Sequence, residues 1–166
     1  INNQVVHRNH PQHADLTFDI MARELRDVIV PFIDSHYNTI ATPHGRALSG
    51  LSMGGRHTMF SGMERNLNLF ANFGVLSAGD AEPEKTMPTF MNTPNVNSKI
   101  DYLFLGQGTE EQSGFFNVRV KGFTDGLNAR GIKHEYYAGG HGGHDWSTWR
   151  HLLYYRFLPN LFKKNK

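Results

Sequence analysis

The sequence predicts an α/β fold: a mostly parallel sheet flanked by helices. Two observations lead there. After an opening helical stretch, short apolar runs and segments of helical spacing alternate along the chain, the pattern of strand-helix repeats. In addition Ser52, Asp80, Glu110, Glu111, His141 and His144 all fall just after a predicted strand. Parallel strands bring such ends to one edge, where open α/β sheets hold their ligands.

The elements follow in order. Residues 1–15 are polar and His-rich with Pro11, and are expected as a loop. From Asp15 or Thr17, either a suitable N-cap, Leu16, Ile20, Met21, Leu25, Val28, Ile29, Phe32 and Ile33 recur at helical spacing. Pro31 is expected to kink this helix or to mark its final turns. Residues 38–45 connect to a first strand at 46–51, and a helix is expected from Ser52 to about Glu64.

A second buried strand is expected at 71–77. Residues 80–98, with three prolines and little periodicity, read as a long irregular excursion holding at most one short helix, of the kind that serves as a lid or binding loop. A third strand is expected at 100–106, ending in the turn 107–111. A helix from about Ser113 to Ala129 has Phe116, Val120, Phe123 and Leu127 on one face and Gly131 as its stop signal. A fourth strand at 132–137 leads into the glycine-rich loop 138–144. The last helix begins near Asp145-Trp146 and runs to Pro159.

Length and composition narrow the function classes. At 166 residues the chain is expected as one domain, 1–166, long enough to bury a core. The formal charge is only +2, and lysines and arginines are scattered except in Lys163-Lys164-Asn165-Lys166, so no nucleic-acid surface is implied. Without cysteine there is no disulfide, thiol nucleophile or Cys-based metal site. No apolar run approaches the ~20 residues of a membrane span, and no membrane partner is expected. Ten histidines make any one of them a weak signal; His7, His10 and His13 read as solvated loop residues, and no metal is expected. The first residue is Ile, so the lack of a signal peptide carries no information.

The organising motif is Gly50-Leu51-Ser52-Met53-Gly54-Gly55, between a strand and a helix. In a nucleophile elbow the serine sits in a strained turn with its hydroxyl projected outward, and small residues are needed two positions either side. Gly50 and Gly54 fill those positions, and Gly55 lets the helix approach the sheet. A base and an acid are then sought in the order serine, acid, histidine. His144 is preferred over His141 because the following helix can fix its backbone. For the acid, Glu111 and Glu110 follow the third strand and Asp80 follows the second; any of them could accept the imidazole Nδ1–H.

Taken together, Gly50 to Gly55, Gly108-Thr109-Glu110-Glu111 and Gly143-His144-Asp145-Trp146, with Trp149 and Arg150 beyond, resemble the putative-esterase (esterase D) family of α/β-hydrolases, nearest to the feruloyl and acetyl-xylan esterases of carbohydrate esterase family one. The segments 34–37 and 70–79 are also similar to that family. The resemblance implies an α/β-hydrolase fold, with Ser52 as nucleophile, His144 as base, Glu111 as acid and the Met53 amide in the oxyanion hole. Relatives usually carry Asp where Glu111 stands. It implies a serine esterase without cofactor, acting on feruloyl or acetyl esters of xylan, or on a small aromatic ester, and secreted. Phe and Met residues near the 80–98 loop and Trp146 are candidates for the substrate's planar aromatic group, with packing the slightly favoured role for Trp146 because it sits at a helix start.

Relatives also carry several strands before the point where this chain starts. The chain is therefore expected to be the C-terminal part of the sheet, with the N-terminal strands missing and an absent segment or partner chain covering the edge at 46–51. Two other readings stay open: an esterase or acyltransferase of the same family acting on another ester or thioester, of the S-formylglutathione type, and a non-catalytic carbohydrate-binding relative.

Overall fold

The computed structural model describes residues 13–112, 114–140 and 142–163. Residues 1–12 of the loop expected at 1–15, with His7 and His10, lie outside the described residues, as do His141 and Lys164 to Lys166.

Helix starts earlier than the loop reading of 1–15 allows, at His13. Helix α1 (His13–Glu24) continues through a π-helical turn, Leu25–Ile29, into α2 (Val30–His36). Phe18, Met21, Ala22 and Leu25 form its buried stripe. Pro31 does not stop the chain: it lies inside the continuous helix directly after the π turn, closed by Val30 N–H to Leu25 O, and so falls in its final turns, which end at His36.

Four parallel strands follow, in the spatial order β1-β2-β3-β4: β1 (Ala47–Leu51), β2 (Asn72–Leu76), β3 (Tyr102–Gln107) and β4 (Glu135–Ala138). Phe73, Val75, Leu103 and Leu105 face a large core with α1, with α3 (Met53–His57) and its continuation to α4 (Glu64–Asn66), and with α7 (Gly114–Ala129). On the other face Leu76 and Phe104 meet Trp149, Leu152 and Phe157 of the last helical segment, which opens as α8 (Trp146–His151). The alternation of faces along β2 and β3 explains why both read as continuous apolar runs. Strand β4 begins three residues later than expected, because Ile132, following Gly131 at φ +62°, is drawn into the core first.

The 80–98 excursion holds more helix than expected and packs into the core. It folds as α5 (Pro83–Thr86), α6 (Pro88–Met91) and a 3-10 turn, Val96–Ser98. Met87 and Phe90 are fully buried, Met91 and Val96 nearly so. The Glu64 carboxylate accepts from the amides of Thr89 and Phe90 at 3.0 and 2.8 Å, capping α6 from the side of α4.

Among the described residues β1 pairs only with β2, so its other side is an open edge. Beside it lies a groove of about 340 Å³, lined in part by Ile29, Ile33, Leu48 and Phe70.

Candidate active site

Strand β1 ends at Leu51, and the next residue leaves ordinary backbone space: Ser52 has φ 51° and ψ −117°, a conformation costly for any L residue. Its neighbours hold it there, Ser52 N–H donating to Leu76 O at 2.9 Å while Arg56 N–H donates to Ser52 O at 3.1 Å. A Cβ on Gly50 would fall 2.2 Å from the Gly54 carbonyl, so Gly50 is obligatory. Gly54 differs from expectation, since a Cβ there would meet nothing within 4 Å; it is its bare backbone that Gly50 needs, not its missing side chain. Gly55 does bring α3 against the sheet, its Cβ position lying 2.6 Å from that of Ala78. As the first residue of α3, Met53 has an amide with no intrahelical acceptor.

Leu51 stands in register with Leu76, and Ser77 follows β2 directly as Ser52 follows β1. It too is left-handed, with φ 49°. This turn aims the Ser77 hydroxyl at the loop after β3, where it donates to Glu111 Oε2 at 2.6 Å and accepts from Trp149 Nε1 at 2.9 Å. The Gly108 amide donates to the same carboxylate oxygen at 2.8 Å. Glu111 is thereby buried, 4% exposed, with Oε2 satisfied twice.

Its other oxygen, Oε1, lies 2.7 Å from His144 Nδ1, and His144 Nε2 lies 2.8 Å from Ser52 Oγ. With the ionised carboxylate as acceptor, the network assigns the proton to Nδ1 and leaves Nε2 free to accept from the serine. The imidazole is held on its faces as well, stacked on Phe116 at 4.1 Å and edge-on to Trp149 at 4.9 Å. Its turn is closed by Asp145, which accepts from the amides of Thr148 at 2.9 Å and Gly143 at 3.2 Å. Those amide bonds hold the Asp145 carboxyl below its usual range. The loops after β3 and β4 are tied together by Gly139 N–H to Gln107 O and Glu110 N–H to Gly142 O, at 3.0 and 3.1 Å.

Of the residues singled out from sequence, Ser52, His144 and Glu111 meet in one chain of hydrogen bonds. Asp80 does not join it: its carboxylate accepts from the Glu82 amide at 2.9 Å and stands 3.8 Å from Arg56. Glu110 is exposed beside the chain. Trp146 is 64% exposed, edge-on to Trp149 at 5.3 Å, and stands outside the recess beside Ser52.

That recess, about 340 Å³, has Met53, Ala78, Phe115 and Phe116 as apolar walls and Arg56 and Arg119 as cationic ones. Sequence reasoning missed Phe115, Arg56 and Arg119 and assigned Phe116 to the buried stripe of α7. A usable signal was the Phe115-Phe116 pair directly after the acid's turn, at a helix start and ahead of the stripe proper, Val120, Phe123 and Leu127. Behind the elbow, His57 is buried and its imidazole is pushed down to about 4, by burial first and by the charge of Arg56 second. Among the described residues no group of three or more His, Asp or Glu side chains is placed to hold a metal ion, and no helix is long and apolar enough to cross a membrane.

The chain is 31% identical over 147 residues to an endo-1,4-beta-xylanase/feruloyl esterase of Xylanibacter ruminicola, covering 89% of this chain but 18% of that protein. Among solved structures it is similar to a CE1 ferulic acid esterase of the anaerobic fungus Anaeromyces mucronatus, with TM-score 0.69 without substrate and 0.74 in complex with ferulic acid, at 20% identity, covering 97% of this chain and 60% of that one. It is also similar to the S-formylglutathione hydrolase FrmB of Staphylococcus aureus, with TM-score 0.62 and 16% identity, covering 89% of this chain and 64% of that one. The chain thus spans less than two thirds of the relatives it matches. These structures share the α/β-hydrolase fold described above. The profile of the family described as "Putative esterase" matches residues 5–158, an interval that takes in the elbow, the acid's turn and the histidine loop alike, and the chain belongs to that family.

Proposed function

We propose that this chain is the catalytic part of a serine carboxylester hydrolase, acting through an acyl-enzyme on feruloyl or acetyl esters of xylan. The observation that carries the reading is the unbroken series Ser52 Oγ, His144 and Glu111, at 2.8 and 2.7 Å. Ser52 Oγ attacks the ester carbonyl while His144 Nε2 takes its proton. The Met53 amide stabilises the developing oxyanion. Collapse expels the alkoxide, which leaves with the proton from His144, and a water activated by the same nitrogen hydrolyses the acyl-serine. Glu111 accepts the Nδ1–H throughout, fixing the tautomer and stabilising the imidazolium without itself being protonated. Phe115, Phe116 and Met53 offer a planar acyl group an apolar slot.

The named activities of the Xylanibacter and Anaeromyces proteins support the feruloyl and xylan parts of this reading; a polymer substrate of that kind calls for a secreted protein. The open side of β1 and the groove beside it are the place for a further segment or partner chain to complete the sheet.

Covalent labelling with a fluorophosphonate, read by intact mass and by the modified peptide, tests the mechanism. A single label on Ser52 that is absent in Ser52→Ala is the expected result, and a folded chain that takes no label overturns it. Profiling against methyl ferulate and acetylated xylan then reads the acyl group.

A further inference from the structure

The recess beside Ser52 carries a charge pattern that ester cleavage alone does not require. Arg56 and Arg119 both stand in its wall. Arg56 is partly compensated: Asp80 lies 3.8 Å away, the Gly79 carbonyl accepts from its Nη1 at 3.3 Å, and its guanidinium lies 4.9 Å from the centre of the Phe60 ring. Arg119 has no carboxylate partner among the described residues, and its guanidinium sits 4.2 Å from the centre of the exposed Phe115 ring. Burial, and then the nearby charge of Arg119, push the Arg56 guanidinium below its ordinary value, with Asp80 opposing. Asp80 offsets Arg56, and the Glu111 carboxylate lies buried behind Ser77 with its oxygens taken by Ser77, Gly108 and His144, so Arg119 is left without a counter-charge in a concave site, where low-dielectric walls concentrate its field.

The backbone seats Arg119 at this position. A Cβ on Gly79 would fall 2.5 Å from Arg119 O and 2.7 Å from Val120 Cα, and one on Gly122 would fall 2.6 Å from Ala81 Cα. Helix α7 therefore crosses the turn after β2 in direct backbone contact, which holds Arg119 over the strand end next to Ser52. A guanidinium fork matches a carboxylate, and pairing the two removes the repulsion between the arginines.

We propose that the recess takes a carboxylate borne by the ester substrate itself, on its acyl or its alcohol part, with Arg119 as the residue that binds it and Arg56 supporting the charge. This rests on the serine-esterase part of the reading above: a carboxylate on the alcohol part keeps the feruloyl or acetyl group, and one on the acyl part replaces it. The carboxylate takes no part in bond making; it orients the ester so that the carbonyl stands at Ser52 Oγ.

Two matched pairs test the proposal. In the first, 4-nitrophenyl butyrate is compared with 4-nitrophenyl hydrogen glutarate, its ω-carboxy analogue. In the second, phenyl butyrate is compared with 4-carboxyphenyl butyrate. The ratio of kcat/KM within each pair is measured for the wild-type chain, Arg119→Gln and Arg119→Lys, so that intrinsic ester reactivity cancels between variants. Lys121→Gln, which removes an exposed cation of the same helix away from the recess, serves as control.

The preference for the carboxylate ester should fall by roughly tenfold or more in Arg119→Gln, the worth of one charge-assisted hydrogen bond. It should be partly retained in Arg119→Lys and unchanged in Lys121→Gln. The pair that responds tells which part of the ester bears the charge. Equal ratios in all chains for both pairs overturn the proposal. Equilibrium titration of the Ser52→Ala chain with methyl hydrogen glutarate and 4-carboxyphenyl butyrate, each against its uncharged analogue, reads the same dependence on Arg119 without turnover. A chain inert toward every ester would end the esterase reading, and this titration would still decide the anion site.

Discussion

Replacing Glu111 by Gln tests the proposed acid most sharply, because the surroundings dictate how the amide must sit. Glu111 Oε2 accepts from both Ser77 Oγ and the Gly108 amide, at 2.6 and 2.8 Å. In Glu111→Gln the amide oxygen has to occupy that place, and the NH2 group then points at His144 Nδ1. Turning the amide over would set two buried donors, the NH2 group and the Gly108 N–H, against each other at a cost of about 1–3 kcal/mol. Facing an NH2, Nδ1 becomes an acceptor, the proton moves to Nε2, and His144 donates to Ser52 where it must accept. The wrong tautomer, with no charge to stabilise the imidazolium, should lower kcat by about three orders of magnitude, or ~4 kcal/mol of transition-state stabilisation. Turnover of 4-nitrophenyl acetate and the rate of fluorophosphonate labelling measure it, with Ser52→Ala as the floor and the thermal transition recorded alongside. A folded Glu111→Gln chain within tenfold of wild-type kcat would refute the argument.

Three further predictions follow from the same geometry. Ser77→Ala removes a hydrogen bond to a buried carboxylate and strands the indole N–H of Trp149, so it should lose about 3 kcal/mol of stability, roughly 6–12 °C in Tm, and lower kcat far more than it changes KM; unchanged Tm and kcat would remove Ser77 from the network. Gly50→Ala should destabilise by about 3 kcal/mol or more, or fail to fold, whereas Gly54→Ala should stay within about 1 kcal/mol of wild type by thermal or urea unfolding. His57 is held neutral by the fold, with its pKa pushed down to about 4 from an ordinary 6.5, so the unfolded chain binds more protons between those values. Its contribution is present above pH 6.5 and is lost as pH falls toward 4, on the order of 2 kcal/mol, and His57→Asn should unfold in urea with a visibly shallower pH dependence across that window.

Much of this architecture is legible in the sequence because it rests on local rules. The elbow pattern, the apolar runs of β2 and β3 and the glycine stop at Gly131 each reflect a constraint contained within a few residues. Placement at strand ends brings six candidates to one edge; the elbow pattern picks Ser52 from them, and the helix that follows His144 sets it ahead of His141. The choice among Asp80, Glu110 and Glu111 was not legible in the same way, since it depends on the left-handed turn of Ser77 and on where the Gly108 amide points. The helices of 80–98 are only partly legible, because the prolines hide the spacing of Met87, Phe90 and Met91 and because the cap comes from Glu64, a residue distant in sequence. The walls of the recess escaped for a related reason. Arg56 and Arg119 look like ordinary surface arginines until two bare glycine contacts bring α7 over the end of β2.

The two left-handed serines at neighbouring strand ends also set the order in which the site comes apart on heating. Ser52 and Ser77 are stitched to Leu76 and Gly106 by ladder bonds of 2.9 and 2.7 Å, so Ser77 moves only if the centre of the sheet opens and Ser52 only if β1 leaves β2. The histidine hangs instead from the segment 138–144, where four of seven residues are glycine. Glycine-rich loops open at far lower free energy than central strands. Heat should therefore release the base first, leaving an assembled but unactivated nucleophile that recovers on cooling, while irreversible loss awaits the sheet.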